Sequence, residues 1–125
     1  MQSRFPQSLT PTAARSYPPP VDPILRPILE PLVAALAPRS IWLFGSRAEQ
    51  RARPESDWDI LVVMPNGTPP EDLDPIGVWK RFGQGPVPVD LVPCTQAEFD
   101  EERFEPDSLP AAAWRRGRCL YERPA

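Results

Sequence analysis

Residues 43–63 read LFGSRAEQRARPESDWDILVV, a polar, charge-rich segment set between two strongly apolar runs. Gly45-Ser46 closes the first run and Asp57-Trp58-Asp59 opens the second. An ionised carboxylate placed in an apolar setting without a partner costs several kcal/mol. The two acids therefore either face water or hold something. In a strand, residues i and i+2 project to one face about 7 Å apart. Asp57 and Asp59 then stand side by side, while Trp58 and Ile60 turn to the opposite face and pack. Neighbouring carboxylates repel unless a proton or cation lies between them, and a divalent ion resolves that conflict.

Outward from this stretch, the pattern predicts alternating strands and helices. SIWLFG (Ser40–Gly45) reads as a short strand, with Ser46-Arg47-Ala48 opening a helix after the Gly45 turn. DWDILVVM (Asp57–Met64) reads as a second strand, ended by Pro65-Asn66-Gly67. DLDPIGVWKRF (Asp72–Phe82) predicts a helix with Ile76, Trp79 and Phe82 inward, broken by Gly83-Gln84-Gly85-Pro86. VPVDLV (Val87–Val92) reads as a third strand, which Pro88 places at a sheet edge. Thr95 and Glu98 have capping-box spacing for a helix toward Glu102. A last helix over Ser108–Arg116 and a short strand over Gly117–Tyr121 close the chain.

Upstream, apolar residues at 24, 25, 28, 29, 32, 33 and 36 form a helical stripe within 21–38, with Asp22 as N-cap before Pro23. Pro27 and Pro31 predict a kinked or broken helix whose most regular part is Leu32–Leu36. The chain holds 20 prolines, concentrated at its start, so residues 1–20 are expected to be a disordered arm. Residues 21–125 then form one small α/β domain, a mixed β-sheet with helices packed on it.

Composition narrows the chemistry. There is no histidine, which excludes a His-based triad, an imidazole shuttle and His-ligated zinc. Cys94 and Cys119 are far apart and form no CxxC pair, arguing against a disulfide framework or thiolate metal site and for a reduced cytoplasmic setting. A net charge of −3 argues against direct nucleic-acid binding. No apolar run approaches the ~18–20 residues of a membrane span. Carboxylate, hydroxyl, guanidinium and backbone amide remain, a set suited to oxygen-liganded magnesium.

Gly45 lets the backbone approach a ligand, and Ser46 adds a hydroxyl donor beside free amides that attract phosphate oxygens. Such a turn alone is most often a simple N-cap. A third acid strengthens the pattern: Asp90 lies between Val89 and Leu91, in a run where an isolated aspartate is seldom present for packing.

GSRAEQRARPESDWDILVV followed by PVDLV resembles the nucleotidyltransferase pattern of the DNA polymerase β superfamily. It is most similar to the minimal nucleotidyltransferases, single-domain antitoxin partners of HEPN-domain ribonuclease toxins. The similarity runs from about Ile24 to Arg123 and includes the closing WRRGRCLYER. The resemblance implies the polymerase β-like nucleotidyltransferase fold. It implies that Gly45 and Ser46 hold the β- and γ-phosphates of ATP, with Arg47 beside them. Asp57, Asp59 and Asp90 would be the catalytic, metal-binding acids, holding two Mg²⁺ ions. It further implies transfer of AMP from ATP to a hydroxyl of a partner protein, AMPylation of a HEPN toxin in a toxin–antitoxin pair. The partner or a homo-oligomer would complete the site. The alternative is a weakly catalytic or non-catalytic antitoxin that neutralises its partner by contact.

One departure stands out. Where the family continues with a basic residue and glycine, this chain has Glu49 and Gln50. Losing the glycine makes a left-handed turn costlier by ~1 kcal/mol, and Glu49 puts negative charge near the triphosphate. Arg47, Arg51 and Arg53 are the candidates to offset it. Trp42, Trp58 and Trp79 read as packing residues, and Arg115, Arg116 and Arg118 as a charged helix end.

Overall fold

The computed structural model describes residues 23–124. The proline-rich arm over 1–20 and the Asp22 cap lie outside the described residues.

Four strands form one mixed sheet: β1 (Ser40–Phe44), β2 (Trp58–Met64), β3 (Val89–Thr95) and β4 (Arg118–Glu122), in the order β3-β2-β1-β4. β1 runs antiparallel to both neighbours, and β2 pairs with β3 in parallel. The central strand β2 is buried at every position except Asp59. Its near-continuous apolar run is what a strand covered on both faces requires. Helices α1 (Arg26–Leu36) and α3 (Pro75–Phe82) pack on one face, over Ile41, Leu43, Trp58, Ile60, Val62 and Leu91. The short helices α4 (Gln96–Glu102) and α5 (Leu109–Arg116) pack on the other, over Phe44, Leu61, Val63 and Cys94. Each fully buried aliphatic side chain contributes about 1.5–3 kcal/mol of transfer free energy. The sheet is therefore held from both sides, and its strand ends are rigid mounting points.

The mixed α/β architecture and the order of elements match the sequence reading, with local corrections. The proline-rich helix is continuous from Arg26 to Leu36, not broken. Pro27 falls in its first turn, where no intrahelical N–H is needed, and Pro31 has its exposed ring turned to solvent. Helix α3 begins at Pro75, three residues later than expected, because Asp74 caps it by accepting from the Gly77 N–H at 3.1 Å. Val78 is buried, whereas Ile76 is 66% and Trp79 40% exposed. β3 runs on through Pro93 to Thr95, since an edge strand tolerates proline. The capping box is present in full: Glu98 N–H donates to the Thr95 hydroxyl, and Thr95 N–H to the Glu98 carboxylate.

Candidate active site

Strand register assembles the site. Phe44 lies opposite Asp59, and Asp59 lies opposite Asp90. Paired positions share a face, so the Asp59 and Asp90 carboxylates project together, and Asp57 joins them two residues before Asp59. On the other flank the chain leaves Phe44 and turns through Gly45 into helix α2 (Gly45–Ala48). Gly45 has φ +75°, a left-handed conformation, and a Cβ added there would collide with the Asp59 side chain. Glycine is thus demanded twice, by backbone conformation and by the approach of an acid.

The acids feel one another. Burial pushes the Asp59 carboxyl above its ordinary value, and the charges of Asp90 and then Asp57 push it further the same way. Among the described residues, no arginine or lysine pairs with any of the three. A structural acid cluster would normally recruit such a cation. Here the negative charge is left uncompensated.

The basic residues nearby are engaged elsewhere. The Arg47 guanidinium donates to the Pro54 carbonyl at 3.2 Å and the Ser56 carbonyl at 2.9 Å, and it lies 4.6 Å from the Trp58 ring centroid. It staples the 49–57 loop whose end delivers Asp57. Arg51 pairs with Glu49 at 3.5 Å, and Arg116 of α5 reaches the same carboxylate at 3.5 Å. Glu49 is thereby held by two arginines. Gln50 takes φ +58°, so the left-handed turn is kept without its glycine.

The donor set can be tested against a divalent cation. Three carboxylates at one end of the sheet are hard oxygen ligands of the kind magnesium takes, and glycine at position 45 lets the backbone lie directly against the Asp59 carboxylate. Among the described residues, no group of three or more His, Cys, Asp or Glu closes into a metal cluster. Magnesium usually takes one or two carboxylates together with waters and substrate phosphates, and Asp59 and Asp90, opposite each other in the sheet, can supply such carboxylates. The residues fit such a group.

One feature escaped the sequence reading. Trp79 faces a cavity bordered by Asp57 and by the loop from Gly83 to Val89. The signal available was Gly83, four residues after Trp79, where a Cβ would strike the indole.

The sequence model of the nucleotidyltransferase domain family matches residues 25–110. The chain belongs to this family, in agreement with the resemblance carried by its GS turn and acid spacing. Its general activity is accordingly nucleotidyl transfer, with a nucleotide as substrate and a divalent metal as the family's usual helper. A crystal structure of a Sulfolobus solfataricus protein, described as a candidate nucleotidyltransferase, shares 22% identity with it. The match has a TM-score of 0.47 and covers 62% of this chain and 68% of that one. No curated protein matches the chain at a significant level. Among the described residues, no helix is long and apolar enough to cross a membrane.

Proposed function

We propose that the protein transfers AMP from ATP to a hydroxyl on a partner protein, with Asp57, Asp59 and Asp90 holding Mg²⁺ and Gly45-Ser46 receiving the β- and γ-phosphates. The observation that carries this reading is the trio of carboxylates left without a basic partner beside a glycine turn. Bound magnesium would neutralise those charges and polarise the α-phosphate. The chain's own residues position the rest. The Ser46 hydroxyl and adjacent amides orient the triphosphate, Arg47 fixes the loop that presents Asp57, and Asp90 accepts the proton of the attacking hydroxyl. Such catalysis is mainly positioning and charge neutralisation, which is why it runs without histidine.

The resemblance to antitoxins names the partner class: a HEPN-domain ribonuclease toxin in the cytoplasm, silenced by adenylylation. Incubating the two proteins with Mg·ATP and measuring intact masses tests this. A gain of one AMP on the partner, lost in Asp59→Asn, supports it; an unmodified partner overturns it. A second reading, neutralisation by contact alone, is favoured by Glu49 standing where a basic residue is usual. It predicts silencing that survives Asp57→Asn and Asp59→Asn without any adduct.

A further inference from the structure

Large apolar side chains stand exposed on helix α5 and on the turn that joins it to α4. Phe104 is 63%, Leu109 45% and Trp114 46% exposed. Two of them share an arginine: the Arg103 guanidinium lies 4.6 Å from the Trp114 ring centroid and 5.1 Å from that of Phe104. Trp114 in turn packs on Trp42 and Phe99, at 5.7 and 6.2 Å between ring centroids. The same region is strongly acidic. Residues 96–108 hold six carboxylates and one arginine, whereas the whole chain carries only −3, so the remainder is slightly basic. That arginine, Arg103, pairs with Asp100 alone, at 3.8 Å. Among the described residues, Glu101, Glu102, Glu105 and Asp107 have no cationic partner.

A groove of about 220 Å³ lies between the sheet, α4 and the start of α5. Leu61, Val92 and Cys94 from the strands and Leu109 from α5 give it apolar lining. Glu98 and Glu102, one turn apart on α4, give it carboxylates. One oxygen of Glu98 accepts from the Thr95 N–H at 2.8 Å, and the Glu102 carboxylate has neither an ion pair nor a hydrogen bond among the described residues. Burial, and then the charges of Glu98 and Glu102, push the Cys94 thiol up to about 12, as two acids without a cation between them should. A long aliphatic stem ended by a cation satisfies both parts of such a groove. Register places the groove beside the acids of the proposed site. Leu61 pairs with Val92 two positions beyond the Asp59–Asp90 pair, on the same face and about 7 Å along the strands. We infer that this groove receives an arginine or lysine side chain of a polypeptide partner, with apolar neighbours of that residue packing on Leu109. The inference rests on the proposed function for the partner being a protein, and a segment anchored here lies next to Asp59 and Asp90. An acidic segment is repelled, and a purely apolar one covers Glu102 without pairing it.

Fluorescein-labelled decapeptides of leucine, alanine and serine, carrying arginine, glutamine or glutamate at the same positions, are titrated with the full chain. Fluorescence anisotropy is read without ATP. The arginine peptide is expected to bind tightest. Glu102→Gln should weaken it roughly threefold, and Leu109→Ser roughly tenfold. Glu71→Gln, the same loss of charge outside the groove, should leave it unchanged. Glu102→Gln breaks no hydrogen bond of the fold, and an unshifted melting temperature confirms that the variant is intact. Equal binding of the arginine and glutamine peptides overturns the inference, as does equal weakening by Glu102→Gln and Glu71→Gln. Binding lost in Asp57→Asn but kept in Glu102→Gln assigns the peptide to the three aspartates and also overturns it. So does a dimer, seen by sedimentation, that Leu109→Ser dissolves, since the face then belongs to a second copy. A partner that gains no AMP in the mass measurement removes the transfer reaction and leaves the groove standing.

Discussion

The backbone of Gly45 packs against the Asp59 carboxylate with no room for even a methyl group between them. One residue of β1's exit turn and one of β2 thus fix each other, and the phosphate side and metal side of the proposed site share a single contact. Gly45→Ala is expected to cost about 1–2 kcal/mol from the φ of +75° alone, before displacement of Asp59 is counted. Thermal unfolding should show the loss of stability, and Mg·ATP titration calorimetry the accompanying loss of binding.

Asp59 should trade stability for function. Its carboxyl is held above the usual 3.8 by burial, Asp90 and Asp57, so the folded chain takes up protons more readily than the unfolded one. The sign follows from linkage: ionised Asp59 destabilises the metal-free fold at neutral pH, and the penalty fades as pH falls toward 3.8. In EDTA, Asp59→Asn should melt above wild type at pH 7, with the gap narrowing in acid. Added magnesium should raise the wild-type melting temperature and leave that of Asp59→Asn nearly unmoved. A variant that melts lower than wild type in EDTA would contradict this account.

Arg47 is expected to act through the loop it staples. Arg47→Met removes the bonds to the Pro54 and Ser56 carbonyls while keeping an apolar stem on Trp58. Magnesium should then half-saturate at a higher concentration because Asp57 is no longer held, and Arg47→Lys should restore only part of the effect, lacking the planar fork. Magnesium-dependent protection from thermal unfolding gives the measurement.

At position 50 the left-handed backbone is paid for by a side chain that does not suit it. Gln50→Gly should stabilise the fold by ~0.5 kcal/mol, the relief at φ +58° being partly offset by the greater freedom of glycine in the unfolded chain. Urea denaturation at unchanged slope would register it.

The two thiols should be sluggish toward alkylation. Burial, with smaller contributions from Glu98 and Glu102, pushes the Cys94 thiol up to about 12; burial and Glu122 push Cys119 up to about 11. Because the thiolate is the reactive form, iodoacetamide should label neither residue appreciably at pH 7 in the native protein, and both after unfolding.

Much of this arrangement was legible before the fold was known, for identifiable reasons. The strand of Asp57 and Asp59 announced itself by an apolar run interrupted on one face only, and Gly45-Ser46 by its place at a strand exit. What sequence could not supply was phase and partnership. On α3, Phe82 packs inward as its spacing suggests, but Val78, and not Ile76 or Trp79, fills the core beside it. The role of Glu49 looked like a defect because its answer, Arg116, lies on a helix far along the chain. Such long-range pairings leave no local periodicity to read.

Two prolines, Pro88 just before β3 and Pro93 within it, bear on how another protein can approach. Pro88 turns its carbonyl inward to Trp58, and Pro93, an odd number of residues later, faces its missing N–H outward on the exposed margin of the sheet. A visiting strand would find a gap in the ladder there and could not zip onto it. The β3 margin is thereby a poorer template for β-augmentation and for stacking of identical copies than an unbroken edge.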